Sequence, residues 1–141
     1  MRIGILGTGG VGGYFGGRLA QAGHSVTFVA RGAPGAALQA EGLTVLTPLG
    51  DFGVKPVTVV ERPEALGPQD VVLNCVKLWD LEASGRALAT SGIGKALVIP
   101  IQNGVEAAAI LTGALPDRQV AQGIAYIPAE ILRPGVIRHN G

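Results

Sequence analysis

The residues whose types and spacing could do chemistry begin near the N-terminus, in a short glycine-rich run. The run reads Gly7-Thr8-Gly9-Gly10-Val11-Gly12 and has the form G-x-G-x-x-G. It follows an apolar segment typical of a strand and opens a helical pattern, which is the context in which this motif binds a dinucleotide. Gly7 would permit the tight turn, Gly9 would let the backbone approach a pyrophosphate, and Gly12 would let the helix pack closely. The N-terminus of that helix would add unpaired N–H groups and a positive dipole end, so we predict a phosphate-binding loop.

The same glycines allow a second interpretation, a packing seam along one face of the helix. Gly9, Gly13 and Gly17 recur at four-residue spacing, which places them on one face. A packing seam and a phosphate loop can coexist in one helix. Both interpretations therefore stand at this stage.

Arg31 follows the second predicted strand and indicates which dinucleotide the loop would take. NAD-binding domains place Asp or Glu there, about 20 residues beyond the glycines, to accept a hydrogen bond from the ribose 2′-hydroxyl. This sequence reads Val29-Ala30-Arg31-Gly32 at that point and has no acidic residue before Glu41. A guanidinium can instead form paired hydrogen bonds to a 2′-phosphate. We predict NADP(H), against the alternative of an ordinary surface arginine at a strand end.

Two later strands also end in polar residues. Lys77 follows the predicted strand Asp70–Val76, and Gln102-Asn103-Gly104 follows the predicted strand Ala96–Ile101. Open α/β sheets bind ligands beyond the carboxyl ends of their strands, so the amide of Asn103 could bond ribose hydroxyls or a carbonyl. In the alternative interpretation, Asn103 caps the next helix and Lys77 is a solvated lysine.

Strand and helix patterns alternate along the chain and predict how these residues are positioned. The predicted strands are Arg2–Leu6, Ser25–Ala30, Leu43–Thr47, Phe52–Val60, Asp70–Val76, Ala96–Ile101, Gln119–Ile127 and Val136–His139, with a hairpin turn at Gly50-Asp51. The predicted helices are Val11–Ala22, Ala36–Ala40, Trp79–Thr90 and Val105–Leu115, the last ended by Pro116. The alternation predicts an α/β fold of the Rossmann type, a doubly wound and mostly parallel sheet with helices on both faces. The 141 residues suit one domain, spanning 1–141.

The bulk composition gives no support to several other classes of protein. Eleven basic and ten acidic residues leave a net charge of +1, which offers no polycationic surface for nucleic acid or an anionic membrane. Cys75 is the single cysteine, and His24 and His139 lie far apart, so neither a disulfide framework nor a metal site is predicted. No apolar stretch approaches the ~18 residues of a membrane span. We expect a cytoplasmic protein.

The motifs, taken in order, resemble those of a known family. The glycine loop, Arg31, Cys75-Val76-Lys77, Pro100-Ile101-Gln102-Asn103-Gly104 and the closing run from Pro134 to Gly141 are similar to the N-terminal domain of the ketopantoate reductases (2-dehydropantoate 2-reductases). The resemblance covers the whole chain. It implies NADPH-dependent reduction of 2-dehydropantoate to pantoate, a step of pantothenate biosynthesis, with a small 2-keto acid as the binding partner.

The resemblance also implies roles for single residues. The glycine loop would hold the pyrophosphate, Arg31 the 2′-phosphate, and Lys77 and Asn103 other parts of the cofactor. Asn103 would also reach the substrate. Ala129, six residues after Gly123, would line the nicotinamide end.

Family members continue into a helical C-terminal domain, which holds a proton-donating lysine and a glutamate near the cofactor. Because this chain stops at Gly141, we expect that domain to be absent here and no residue of the chain to be catalytic. The chain would then be the cofactor-binding part of the enzyme, inactive alone, with a C-terminal domain or a second copy as its partner. Two alternatives stay open: a related NADP-dependent reductase of another 2-keto or 3-hydroxy acid, and a non-catalytic nucleotide-binding module.

Overall fold

A six-stranded sheet, in which every strand is parallel to its neighbours, organises the computed structural model, which describes residues 1–115 and 119–141. The strands in the described residues are β1 Arg2–Leu6, β2 Ser25–Val29, β3 Leu43–Leu46, β4 Phe52–Val54, β5 Thr58–Val60, β6 Val71–Asn74, β7 Leu97–Pro100, β8 Gln119–Val120, β9 Ala129–Arg133 and β10 Val136–His139. The helices are α1 Gly10–Gln21, α2 Gly32–Glu41, α3 Leu81–Ala89 and α4 Ala107–Ala114. Single 3-10 turns cover Pro63–Ala65 and Leu78–Asp80.

The parallel sheet has the order β5-β2-β1-β6-β7-β8. The chain winds outward from β1 in one direction through β2 and β5, and in the other through β6, β7 and β8. The strand order therefore reverses between β1 and β6, where Leu6 pairs with Asn74. Ligands of open α/β sheets bind in the crevice beyond such a reversal. The prediction of a doubly wound parallel sheet is confirmed.

Helices cover both faces of this sheet. Helices α3 and α4 pack on one face, where Leu81, Leu88 and Leu111 are fully buried. Helices α1 and α2 lie on the other face, in a core that includes Phe28 and Leu38. Two separate layers of apolar side chains thus hold the strand ends in place.

The antiparallel hairpin β3–β4 was predicted from the sequence, but the second sheet to which it belongs, of order β4-β3-β10-β9, was not. It combines two antiparallel hairpins, β3–β4 and β9–β10, joined by the parallel pair β3 and β10. Helix α1 lies between the two sheets. A Cβ on Gly16 would collide with the Phe28 ring on one side, and a Cβ on Gly17 would come within 3.0 Å of Leu43 on the other. The helix therefore packs through glycines on both sides.

Two predicted strands are wrong in extent. The segment Phe52–Val60 forms two strands in different sheets, since β4 ends at Val54 and β5 begins at Thr58, and the intervening Pro56 has no N–H to donate to a ladder. The segment Gln119–Ile127 is a strand over Gln119–Val120 alone, because the chain then crosses the end of β7, where a Cβ on Gly123 would lie 2.7 Å from the Pro100 carbonyl oxygen.

The helices agree with their predicted positions, with shifted ends. Helix α2 begins at Gly32, four residues before its predicted start, and ends at Glu41 before Gly42, whose φ is +82°. The predicted helix Trp79–Thr90 begins as the 3-10 turn Leu78–Asp80 and continues as α3. The predicted stop of α4 at Pro116 lies outside the described residues.

Candidate functional site

The glycine loop lies at the carboxyl end of the parallel sheet, between β1 and α1. Gly7 has a φ of +94°, and a Cβ there would lie 2.8 Å from the backbone nitrogen of Val76, so only glycine fits this turn. The first bond of the helix runs from the Gly13 N–H to the Gly9 carbonyl at 2.8 Å. The N–H groups ahead of it, at the start of α1, have no helical carbonyl to bond and can serve an anion.

The glycines of the loop differ in the space around them. Beyond its chain neighbours, no atom of the described residues lies within 4 Å of a Cβ built on Gly9, so the space beside that residue is open. A Cβ on Gly10 would instead collide with the backbone of Ala129 and Glu130 in β9, and a Cβ on Gly12 with the Gly7 carbonyl. Within the motif, Gly9 faces free space, whereas Gly10 and Gly12 are required by packing.

The interpretation as a packing seam holds for the later glycines. A Cβ on Gly13 would lie 2.7 Å from Ile137 in β10, and Gly17 faces Leu43 in β3. Gly9, at the same helical spacing, contacts neither. The seam thus begins one turn after the residue that faces open space.

Thr8 joins the glycine loop to the neighbouring strand. Its hydroxyl donates a hydrogen bond to the carbonyl of Val29, the last residue of β2, at 3.1 Å. Val11, in the first turn of α1, is half-buried. The loop is therefore fixed to the strand end from which Arg31 emerges.

A cleft of about 490 Å³ opens beyond the ends of β1, β2, β5 and β6. Gly7 and Arg31 both line it, together with Glu61 and Arg62 from the end of β5 and Asp80 from the turn before α3. Its position is the crevice beside the reversal of strand order, and its size suits a small organic ligand. The structure thus brings Arg31 and the glycine loop together.

The residues at the end of β5 were missed by reasoning from the sequence. Strand β5 pairs in parallel with β2, with Val60 opposite Val29, so the chain leaving Val60 emerges beside Ala30 and Arg31. An acid, Glu61, is therefore present at the cleft although β2 supplies none. The approach of Glu61 and Arg62 to the cleft could not be predicted, because the sequence Phe52–Val60 resembles one continuous strand and does not indicate which strands pair with it.

Lys77 and Asn103 lie at the same edge of the sheet but do not line that cleft. Lys77 is exposed and directly precedes the 3-10 turn, where its carbonyl accepts a hydrogen bond from the Asp80 N–H at 2.9 Å. Asn103 is exposed after β7, followed by Gly104 at a φ of +95°. The interpretation of Asn103 as a helix cap is wrong, since α4 begins at Ala107 with Glu106 at its N-cap.

Gln102 connects the two loops that carry Lys77 and Asn103. Its side chain is 7% exposed, and Nε2 donates to the carbonyls of Asn74 at 2.9 Å and Val76 at 2.8 Å. Its Oε1 is buried and has no partner among the described residues. The loop after β6 and the loop after β7 are thus held together by one amide.

Asn74, the last residue of β6, is a second buried amide that was not predicted from the sequence. It is fully buried; its Nδ2 donates to Ser84 Oγ at 2.8 Å, and its Oδ1 accepts from the Val76 N–H at 3.4 Å. A polar residue inside the apolar run Val71–Val76 was the available signal. Burial raises the pKa of the neighbouring Cys75 thiol, which favours its protonated form.

Ala129 lies beside the glycine loop. It is the first residue of β9, it is half-buried, and its carbonyl faces the Cα of Gly10. Its N–H donates to the Ile127 carbonyl at 3.1 Å. The second sheet thereby closes one side of the loop.

Two observations concern metals and membranes. Within residues 1–115 and 119–141, no group of three or more His, Cys, Asp or Glu side chains could hold a metal ion. In the same residues, no helix has the length and apolar character needed to cross a membrane.

The strand order and the glycine loop at its reversal define a Rossmann-type α/β domain of the kind found in oxidoreductases. Residues 3–141 match the family described as ketopantoate reductase PanE/ApbA. The chain belongs to this family, and the resemblance noted from the motifs is confirmed.

Three known proteins illustrate the relationship. A 2-dehydropantoate 2-reductase of Halobacterium salinarum is 33% identical over 142 residues, covering 100% of this chain and 46% of that protein. The crystal structure of a PanE/ApbA family ketopantoate reductase from Ralstonia eutropha is 40% identical, with a TM-score of 0.94, and covers 100% of this chain and 47% of that one.

The third is a structure of D-mandelate dehydrogenase with NADH and anilino(oxo)acetate, 22% identical with a TM-score of 0.86, covering 100% of this chain and 46% of that one. At that identity the likeness shows the fold alone. The chain spans about half the length of the curated relatives it matches.

Proposed function

We propose that residues 1–141 form the cofactor-binding domain of an NADPH-dependent 2-dehydropantoate reductase. The observation that carries the proposal is the cleft in which the glycine loop and Arg31 meet, beside the reversal of strand order. Family membership supports the same reaction, since the Halobacterium relative is named a 2-dehydropantoate 2-reductase. The product of this reduction is pantoate.

The residues present fit a dinucleotide. Gly9 leaves open space in front of the helix N-terminus, and the surrounding glycines fix the shape of the loop, so this end of the cleft suits a pyrophosphate. We assign Gly7, Thr8, Gly9, Gly10, Val11 and Gly12 to the pyrophosphate loop. Gly9 and the N–H groups of the first helical turn would contact the ligand. The absence of a side chain at Gly10 and Gly12 would allow the close packing that sets the backbone conformation of the loop.

Beyond the loop, Lys77 and Asn103 would hold the cofactor on the side of β6 and β7. NADPH, when bound, supplies the hydride for the ketone carbon. The amide of Asn103 would donate a hydrogen bond to the substrate, and Ala129 would close the nicotinamide end. Gln102 would keep Lys77 and Asn103 at a fixed separation, because it bonds both loops.

Arg31 is the residue we assign to the 2′-phosphate. It lines the cleft, it is exposed, and it forms no ion pair within the described part of the chain, so its guanidinium is available to an anion. A charge-assisted bond of this kind contributes about 1.5–3 kcal/mol, which is roughly ten- to a hundred-fold in affinity.

The test is a calorimetric titration of the chain with NADPH and NADH. Arg31→Ala should weaken NADPH binding by roughly ten- to a hundred-fold and leave NADH binding nearly unchanged. Arg86→Ala, which removes an exposed arginine paired with Glu82 outside the cleft, is the matched control and should change neither. Equal losses for both cofactors in Arg31→Ala would contradict the assignment to the 2′-phosphate.

The reaction itself needs more than the residues assigned above. A positioned acid that protonates the developing alkoxide typically contributes ~10²–10⁴-fold. None of the assigned residues has that role, so the 141-residue chain should bind NADPH without reducing 2-dehydropantoate at an enzymatic rate. The assay follows NADPH absorbance, with the Halobacterium relative as positive control. If this chain reduced 2-dehydropantoate and Lys77→Ala abolished the turnover, Lys77 would be the proton donor. The proposal that this chain binds the cofactor without supplying the acid would then be wrong.

One observation favours a second candidate, a reductase of the same family that uses NADH. Glu61 reaches the same cleft as Arg31, and a carboxylate there could accept a hydrogen bond from a ribose 2′-hydroxyl. In the titration above, tighter binding of NADH than of NADPH by the unmodified chain would select this candidate.

A further inference from the structure

We infer that the strand end after β5 supplies a second set of cofactor-selecting residues, with Arg62 sharing the 2′-phosphate with Arg31 and Glu61 limiting the preference for it. This inference rests on the proposed function, because it concerns the same cleft. It begins with the sheet, in which β5 is the edge strand next to β2.

The register of these strands places the two arginines at one edge. Val60 pairs with Val29, and the Ala30 N–H donates to the Val60 carbonyl at 3.0 Å. The ladder thus extends one residue past the end of β2. Arg31 and Arg62 then follow from adjacent parallel strands, and both line the cleft that begins at Gly7.

The backbone of Arg62 is anchored. It is extended, with φ −146° and ψ 153°, and its carbonyl accepts a hydrogen bond from the Ala65 N–H at 3.1 Å at the start of the 3-10 turn. That turn leads to Leu66, which is 6% exposed and packs into the core beneath the sheet. The backbone position of Arg62, from which its side chain extends, is therefore fixed by the hydrogen bond of the turn and by the burial of Leu66.

Neither arginine is committed to another charge. Within residues 1–115 and 119–141, neither Arg31 nor Arg62 forms an ion pair, although Glu61, Glu64 and Asp80 line the same cleft. Two free guanidinium groups at one edge suit a phosphate, which can accept hydrogen bonds from both. A free carboxylate at the same edge repels a phosphate and accepts from a hydroxyl.

Arg62 and Glu61 should therefore shift selectivity in opposite directions. Arg62→Ala should weaken NADPH binding roughly ten-fold and leave NADH binding unchanged. Glu61→Gln should strengthen NADPH binding and weaken NADH binding, each by a few-fold. Neither side chain is buried, so neither change should unfold the chain.

The experiment measures dissociation constants for NADPH, NADH, adenosine 2′,5′-bisphosphate and 5′-AMP by calorimetry. The two adenosine nucleotides isolate the 2′-phosphate from the nicotinamide. We expect Arg62→Ala to weaken NADPH and the bisphosphate alike, and Arg62→Lys to lose part of that affinity, since an ammonium lacks the planar fork. Arg133→Ala, an exposed arginine of β9, is the control.

Each outcome bears on the inference. Equal effects of Arg62→Ala on NADPH and NADH, or no effect on either, overturn the inference; a selective effect of Arg31→Ala would still leave the proposed function intact. If Glu61→Gln shifted the dissociation constants of NADPH and NADH in the same direction, the role given to Glu61 would be wrong. An unmodified chain that binds neither dinucleotide overturns both the proposed function and this inference.

Discussion

The two ends of the parallel sheet are made by the same strands, but the arginines described at each end differ in whether they form an ion pair. At the amino end, the Arg2 backbone N–H and guanidinium bond the Asp70 carboxylate at 2.7 and 3.3 Å, which ties β1 to β6. At the carboxyl end, Arg31 and Arg62 form no ion pair in the described part of the chain. The pairing of Arg2 at the amino end and the free guanidinium groups of Arg31 and Arg62 at the carboxyl end are the arrangement expected if the carboxyl end binds an anion.

The buried side-chain amides do not differ in this way between the two ends of the sheet. Among the described residues, the buried Oε1 of Gln102 at the carboxyl end has no hydrogen-bond partner, and neither has the Oε1 of Gln69 near the amino end, whose Nε2 donates to the Leu66 carbonyl at 2.8 Å. The difference between the two ends therefore lies in the pairing of these arginines and in the open space beside Gly9. Both features can be tested by changing one residue at a time.

The largest effect is expected from Gly12→Ala. The new Cβ would collide with the backbone carbonyl of Gly7, which cannot rotate away as a side chain would, so the free energy of unfolding should fall by more than about 3 kcal/mol. NADPH binding should be lost with the shape of the loop. Chemical denaturation and calorimetry measure the two quantities.

Gly113→Ala is the matched control for that change. Gly113 lies in α4, and among the described residues no atom outside its own helix backbone lies within 4 Å of a Cβ built there, so alanine should raise stability by about 0.5–1 kcal/mol. If Gly12→Ala were as stable as Gly113→Ala, the glycine loop would be less tightly packed than described.

Gly9→Val is expected to affect binding alone, and it sharpens the comparison within the loop. Its backbone is extended, with φ −85° and ψ −164°, and the space beside it is open, so stability should change by less than about 1 kcal/mol. NADPH affinity should fall by about a hundred-fold or more, because the branched side chain occupies the space a pyrophosphate needs. A variant with a native circular dichroism spectrum and normal NADPH affinity would show that the loop is structural only.

The smallest effect is expected at the amino end, from Asp70→Asn. Two hydrogen bonds hold the pKa of the Asp70 carboxyl below its ordinary value. The larger effect comes from the Arg2 backbone N–H and the smaller one from the Arg2 guanidinium. A carboxyl with a lowered pKa in the folded state stabilises it above the unfolded pKa, and this contribution disappears as pH falls below about 4. The stability difference between the unmodified chain and Asp70→Asn should therefore shrink on acidification, with NADPH affinity at neutral pH unchanged. A difference independent of pH would contradict the role of this pair.

Reasoning from the sequence recovered the parallel sheet because its signals are local. Continuous apolar runs such as Ser25–Val29, followed by helical spacing and glycine stops, are readable within a few residues. The second sheet depends on pairing between β3 and β10, which no local pattern encodes. The division of Phe52–Val60 was missed for the same reason, since its two halves pair with different strands.

The candidate site divides in a similar way. The glycine motif and Arg31 were readable because their spacing is fixed by one strand–helix–strand unit. The distinct situations of Gly9 and Gly10 were not, because they depend on β9, which approaches from the far end of the chain. The arrival of Glu61 and Arg62 at the cleft likewise depends on the sheet register. The binding roles of the glycine loop, Arg31, Lys77, Asn103 and Ala129 stay predictions.

The position of α1 between two sheets has a consequence for how the chain folds during synthesis. Its outer cover includes β10, in which Ile137 pairs with Val45, a residue about 90 positions earlier. Until Val136–His139 has left the ribosome, the side of the helix at Gly13 lacks its packing partner, and a contact of such long range closes slowly. Gly10 meets β9 in the same late step. The glycine loop, at residues 7–12, is thus expected to reach its final shape only after β10 has been made, and a nascent chain should gain affinity for a dinucleotide only once Val136–His139 has emerged.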